Sequence, residues 1–373
     1  MIDIDNLLQR VVEKEGSDLH LRIPSPPIIR IDGELRIQDD LPPLTAKDAE
    51  SVLEQIATSE QKSMFLRDME LDFAYSVPGV ARFRVNIMRQ RGTISICFRL
   101  VPTEIASIEA LGLPLICKEL ILKPRGLILV TGPTGSGKST TMASMLNYLN
   151  DTLARNVITI ENPIEYLHRN HKCIIAQRDL GDDTKAFDVA LVHALRHDPD
   201  VIVVGEMRDL PTVSTAIRAA ETGHLVMGTL HTIDAAQTVD RIIDMYPSDQ
   251  QPQIRLQFSQ VILAVISQTL LPKIVGKGRV AAFEVMIANT AVRNLIRDGK
   301  TYELNNVIQL SASENMQTLD QCLANLVRSK IVTAEDALMR SSHPDRLQKL
   351  MQYDYRIKIP ISQMVDHTLA VKK

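Results

Sequence analysis

The sequence predicts an α/β protein of two domains, and three observations lead there. Its 373 residues exceed the roughly 100 to 200 that one core ordinarily organises. From Gly126 onward, short β-branched apolar runs alternate with helix-like stretches, the βαβ rhythm of a mostly parallel sheet. Directly after the first of those runs, residues 132–140 read GPTGSGKST, which matches the phosphate-loop spacing G-x-x-x-x-G-K-[ST].

Residues 1–100 read as a small α/β domain. Apolar periodicity predicts a helix over Ile4 to Lys14, and turns follow at Pro24-Ser25-Pro26-Pro27 and Asp32-Gly33. A second helical stretch is expected over Ala46 to Asp68. Antiparallel strands are expected at 71–75, 81–87 and 93–99, the middle one alternating apolar and polar residues. This half carries no catalytic pattern of its own, which suits a positioning or coupling module.

Residues 101–114, with Pro102 and Pro114, read as a linker, and 115–290 as the core domain. Strands are expected at Leu127–Thr131, Val157–Ile160, Val201–Val204 and Leu225–Thr229, with helices between them. Residues 291–362 read as helical, with helices over 291–297, 318–329 and 334–340, and 363–373 as a flexible tail.

The chemistry concentrates after the first core strand. Gly132, Gly135 and Gly137 let the backbone turn tightly enough for successive N–H groups to face inward and form an anion nest. Pro133, Thr134, Gly135, Ser136, Gly137, Lys138, Ser139 and Thr140 are the expected nucleotide-binding residues. Lys138 is expected on the β and γ phosphates and Ser139 on Mg²⁺, with the dipole of the following helix adding to the attraction. ATP or GTP is the implied ligand.

Hydrolysis also needs a group that orients water and positive charge at the γ phosphate. The buried run Val201–Val204 delivers Glu206 behind Gly205, so Glu206 is the expected water-polarising carboxylate, directly or through Mg²⁺; pairing with Arg208 is the alternative reading. Glu161 and Glu165 follow another strand and are expected at the same pocket mouth. His224 and His231 sit at the two ends of an apolar strand, too far apart for one local metal site. His231 suits sensing of the γ phosphate or a relay between subunits, whereas His224 is equally read as a helix-end structural residue. His168, His171 and Cys173 lack a fourth nearby ligand for zinc.

Composition narrows the partners. The chain is 45% hydrophobic and 23% charged with a net charge of −3, so no global positive field recruits nucleic acid or anionic lipid. Four scattered cysteines form no C-x-x-C pair, which fits a reducing cytosol rather than a disulfide framework. The acidic, amphipathic N-terminus does not read as an export signal, and the apolar run 261–266 is far short of a bilayer span of about 20 residues. The expectation is a cytoplasmic protein that reaches a membrane only by docking, without insertion.

The string LRHDPD at 195–200, followed by VIVV and GEMRD, resembles the signature of the type II/type IV secretion ATPase superfamily, and its combination with GPTGSGKST is specific to it. Within that superfamily, AVRNLIRDGKT at 291–301 is similar to a helix of the PilT-type retraction ATPases of twitching motility. The resemblance runs from Gly16-Ser17-Asp18-Leu19-His20-Leu21 to Met316-Gln317-Thr318-Leu319-Asp320. It implies a hexameric ring whose subunits each join a PAS-like N-terminal domain to a RecA-like ATPase core, with ATP and Mg²⁺ bound between the two.

The same resemblance assigns Lys138 and Ser139 to Walker A, Glu206 to Walker B, Glu161 to Glu165 to the Asp box and His224 to His231 to the His box. It also assigns γ-phosphate arginines to the first domain, where Arg84 and Arg99 match best and Arg82 is a rival. The family's Asp box reads E-D-P-I-E; here Asn162 replaces the aspartate, which shifts weight onto Glu161 and Glu206. The implied function is pilus retraction through an inner-membrane platform protein, with peripheral association at that membrane. An accessory retraction motor, an assembly or secretion motor and a DNA-translocating motor are the alternatives. The tetracysteine segment of the assembly and secretion motors is absent from this sequence.

Overall fold

The computed structural model describes residues 2–102, 104–276 and 278–352. The expected tail at 363–373, and the helical region beyond 352, lie outside the described residues. The chain divides into two compact units, Met1–Thr103 and Glu104–Lys373.

The first unit runs α1 (Ile4–Glu13), β1 (Gly16–Leu21), β2 (Ile28–Ile31), β3 (Glu34–Ile37), α2 (Ala46–Ile56), α3 (Ser59–Asp68), β4 (Glu70–Val77), β5 (Ala81–Gln90) and β6 (Thr93–Leu100). Its strands form one antiparallel sheet in the order β3-β2-β1-β6-β5-β4. Asp32 and Gly33 both take positive φ, 51° and 84°, and close the β2–β3 hairpin with two residues, the geometry whose twist matches paired strands. Ile4, Leu7, Leu8 and Val11 of α1 pack with Leu19, Ile29, Phe83, Val85 and Phe98, so one face of the sheet is covered and the other keeps its charged residues.

The single helix expected over 46–68 is two. Ala57 is extended, and Thr58 starts α3 with a capping box in which its side chain takes the Gln61 N–H and Gln61 takes the Thr58 N–H. Those local bonds satisfy the orphan donors of a new N-terminus and end the continuous helix.

The second unit runs α4 (Ile116–Ile121), β7 (Gly126–Thr131), α5 (Lys138–Thr152), β8 (Asn156–Glu161), β9 (Ile174–Asp179), α6 (Phe187–Ala194), β10 (Val201–Val204), α7 (Leu210–Glu221), β11 (Leu225–Leu230), α8 (Ala235–Asp244), α9 (Gln251–Val261), β12 (Ile262–Pro272), β13 (Arg279–Ile287), α10 (Thr290–Arg297), α11 (Leu304–Leu310), α12 (Leu319–Arg328), α13 (Ala334–Arg340) and α14 (Pro344–Gln352). The sheet order is β13-β12-β7-β11-β10-β8-β9, parallel throughout except for β13.

Every residue of β7, β10 and β11 is buried, because helices cover both faces of the sheet. Alternate residues of β7 feed opposite faces: Leu127 and Leu129 join the core with Val213, Ile217 and Val239, whereas Ile128 and Val130 join the one with Met145 and Leu149. The parallel register brings the carboxyl ends of β7, β8, β10 and β11 to one edge, where the loops that carry the candidate residues emerge.

β9, β12 and β13 were not expected as strands. β12 follows α9 with no intervening turn residue, so its apolar run continues a helical pattern in sequence. β9 is an edge strand whose alternation is broken by a 66% exposed Ile174.

Candidate active site

The phosphate-loop segment leaves β7 at Thr131, whose hydroxyl donates to Ser267 Oγ of β12 at 2.8 Å. Gly132 has a φ of +141°, and a Cβ there would meet the Gln268 carbonyl oxygen at 2.2 Å, so the loop can pass this close to β12 only without a side chain. Gly137, at φ +91°, turns the chain into α5, which starts at Lys138.

Gln268 was not foreseen from sequence. It is 3% exposed, and its amide spans the loop: Nε2 donates to the Ser136 carbonyl at 2.7 Å, and Oε1 accepts from Thr141 Oγ1 at 2.8 Å. The position lies in β12, far along the chain from the loop, and no local pattern marks it. Ser136 Oγ is buried without a hydrogen-bond partner. Lys138 Nζ donates to the carbonyls of Gly132 at 2.8 Å and Pro133 at 3.1 Å, folding back over the loop. Burial lowers its pKa, against the attraction of Glu206 and Glu165.

The carboxylates come from neighbouring strands. After β10, Gly205 donates its N–H to Ile160 O of β8 at 2.7 Å, and a Cβ there would stand 3.1 Å from Glu161 Cα. That approach sets Glu206 beside Glu161. Glu206 Oε1 accepts from His231 Nε2 at 2.8 Å and also pairs with Arg208, so the alternative reading of Glu206 is realised alongside the first. Burial pushes the Glu206 carboxyl up, but Arg208 and His231 outweigh it and hold the group below the ordinary carboxylate range. Glu161 behaves oppositely: burial raises its pKa despite hydrogen bonds from Thr159 at 2.7 Å and Gln177 at 3.1 Å.

These groups share one cleft of about 450 Å³, within the size range of small-ligand pockets. Thr134, Gly135, Gly137, Lys138, Ser139, Thr140, Glu161, Asn162, Glu165, Glu206 and His231 all line it. Tyr166, just beyond Glu165, is tied to α5 by a 2.9 Å hydrogen bond between its hydroxyl and Thr140. Phe187, Leu270 and Arg279 also line the cleft and were missed, the last two because they lie on β12 and β13.

The structure does not bring His224 to this cleft. Leu225 pairs with Gly126 at the amino end of β7, whereas Leu230 pairs with Thr131 beside the loop. His224 instead closes the end of α7, with its N–H bonded to Ala219 O at 3.2 Å and its Nδ1 2.9 Å from the same oxygen. Arg84 and Arg99 belong to the first unit, where they face each other across β5 and β6. Arg99 Nε donates to the buried Asp18 Oδ1 at 2.8 Å, and Arg84 lies 4.0 Å from Asp72. Burial raises the Asp18 carboxyl, but its hydrogen bonds from Arg99 and Ser17 leave it below the ordinary range.

Among the described residues no helix is long and apolar enough to cross a membrane. The family model described as "Type II/IV secretion system protein" matches residues 1–305. The chain is 47% identical over 344 residues to a type IV pilus retraction ATPase, PilT, of Pseudomonas aeruginosa, covering 92% of this chain and 99% of that one. It is 45% identical to a twitching motility protein of Neisseria gonorrhoeae, covering 86% of each. A crystal structure of the pilus retraction motor PilT with bound ADP superposes with a TM-score of 0.87 at 46% identity, covering 94% of this chain and all of that one. The expected α/β class, with a PAS-like first domain and a RecA-like nucleotide-binding core, holds, and the chain belongs to the type II/IV secretion system protein family of ATPases.

Proposed function

We propose that this chain is a motor that hydrolyses ATP to drive retraction of a type IV pilus. The observation that carries the chemical part is the Glu206–His231 pair at 2.8 Å, lining the same cleft as Lys138 and Ser139. Arg208 and His231 both engage Oε1 of Glu206, so Oε2 is the atom that takes and polarises the attacking water. Lys138 and the loop N–H groups hold the phosphates, while Glu161, Glu165 and Asn162 form the facing wall.

The donor set suits Mg²⁺. Ser139 at the start of α5 and Glu206 through a water are oxygen donors, as a hard cation prefers, and both line the cleft. When bound, Mg²⁺ neutralises charge on the transferred phosphoryl group. The family resemblance assigns γ-phosphate cations to Arg84 and Arg99, which face each other on one strand pair of the first unit, where Arg99 is paired with Asp18.

The mechanical part of the reading rests on the relatives that carry retraction and twitching in their names, matched over nearly full length. In this reading the chain forms a homo-hexamer in the cytoplasm and acts on an inner-membrane platform protein, with no nucleic acid involved. Steady-state ATP turnover tests the chemistry. Lys138→Ala and Glu206→Gln should each abolish turnover, the second while still binding nucleotide; wild-type turnover in either variant removes the assigned role.

A further inference from the structure

Glu284, on β13, takes no part in the chemistry above, yet it occupies a structural junction. It is 3% exposed. Its Oε1 accepts the backbone N–H of Ala235, the first residue of α8, at 2.8 Å. The backbone N–H of Leu319, the first residue of α12, stands near enough to its carboxyl to favour the charged form. One buried acid therefore caps α8 and lies beside the start of α12, and both helices also have caps of their own: Asp234 takes the Gln237 N–H, and Thr318 takes the Gln321 N–H.

Both ends of this junction lead to the nucleotide cleft. Across the β12–β13 ladder, Glu284 is paired with Ser267, and Ser267 receives the hydroxyl of Thr131, the last residue before the phosphate loop. Four residues before Ala235 stands His231, which holds Glu206. The turn between them is short and tied to α8, with the Thr232 hydroxyl 2.7 Å from that of Thr238 on the helix. An acid that fixes the first turn of α8 therefore fixes the turn that aims His231.

We propose that Glu284 is a positioning residue for His231: it clamps the start of α8 to the strand pair beside the phosphate loop. The charged and titratable groups facing it are Asp234 before α8 and Asp320 on α12. His343 stands near Asp234, and Ser341 donates to Asp320 at 2.6 Å. Burial first, then the two aspartates, push Glu284 up to about 7, so its charge changes within the working pH range of an enzyme.

The proposal rests on the ATPase reading, and failure of the wild-type chain to hydrolyse ATP would count against that reading alone. The test is steady-state ATP hydrolysis by the full chain across pH, with ADP affinity measured alongside, for Glu284→Ala, Glu284→Gln and Thr318→Ala. Glu284→Ala should lower kcat about tenfold with ADP affinity within about twofold, the mark of an effect on the transition state rather than on binding. Glu284→Gln should flatten the part of the kcat–pH profile near neutrality. Thr318→Ala, which removes only the cap belonging to α12, should keep kcat within about twofold. A wild-type kcat in Glu284→Ala, or an equal loss in Thr318→Ala, overturns the proposal. If Glu284→Ala does not fold, Glu284→Gln decides: a wild-type kcat and pH profile there overturn it as well.

Discussion

Replacing Gln268 by Leu tests whether the phosphate loop is held from β12. The substitution keeps approximate size and removes both amide contacts, leaving the Ser136 carbonyl and the Thr141 hydroxyl without the partners they have at 2.7 and 2.8 Å. Each of the two orphaned buried groups costs about 1–3 kcal/mol, and the added apolar burial returns about 1 kcal/mol, so the net loss is roughly 1–5 kcal/mol. For a unit of this size that corresponds to a melting temperature lower by about 2–20 °C. Ligand affinity should fall too, because N–H groups that no longer converge must be ordered by the nucleotide, and each ~1.4 kcal/mol of that ordering is tenfold in Kd. Thermal unfolding without nucleotide and calorimetric titration with ADP read the two effects separately. A variant that melts within about 2 °C of the parent and binds ADP within about twofold would refute the claim that Gln268 organises the loop.

Three further outcomes follow from particular contacts. Gly132→Ala places a Cβ 2.2 Å from a backbone carbonyl at φ +141°, so ADP titration should show binding lost or severely weakened; near-normal affinity would mean the loop and β12 are not so close. Glu284 binds its proton more tightly when folded, its pKa rising from 4.5 to about 7, so its ionisation opposes folding. The stability it contributes is present below about 4.5 and is lost as pH rises to about 7, by roughly 3 kcal/mol in total, so urea unfolding of the parent should weaken over that interval relative to Glu284→Gln. A gap between the two proteins that does not vary with pH would reject this. Thr58→Ala should cost about 1 kcal/mol through loss of the α3 capping box while leaving ADP affinity unchanged, and an unaltered melting curve would argue that α2 and α3 are not separately capped.

Much of the site was legible because it is local in sequence. The loop at 132–140 carries its own glycines, lysine and serine, and Glu206 follows a run of four β-branched residues that reads as nothing but a buried strand. What escaped depends on tertiary pairing. Gln268 meets the phosphate loop, and Leu270 and Arg279 reach the cleft, only because β12 returns parallel to β7 and β13 folds back against it, a placement that no spacing along the chain encodes. His224 shows the converse. It stands seven residues from His231 on one strand, so the extended backbone carries the two histidines to opposite ends of the sheet. The break between α2 and α3 was readable in principle, since Thr58 and Gln61 form the S/T-x-x-Q pattern of a capping box, but the helix-favouring residues on both sides masked it.

The central claim, that ATP turnover at this cleft powers pilus retraction, is tested most directly by imaging labelled pili in a piliated host from which the gene has been deleted. The account predicts pili that extend and do not retract, with retraction restored by the wild-type chain and not by Glu206→Gln. Loss of pili altogether, or retraction restored by Glu206→Gln, would contradict it.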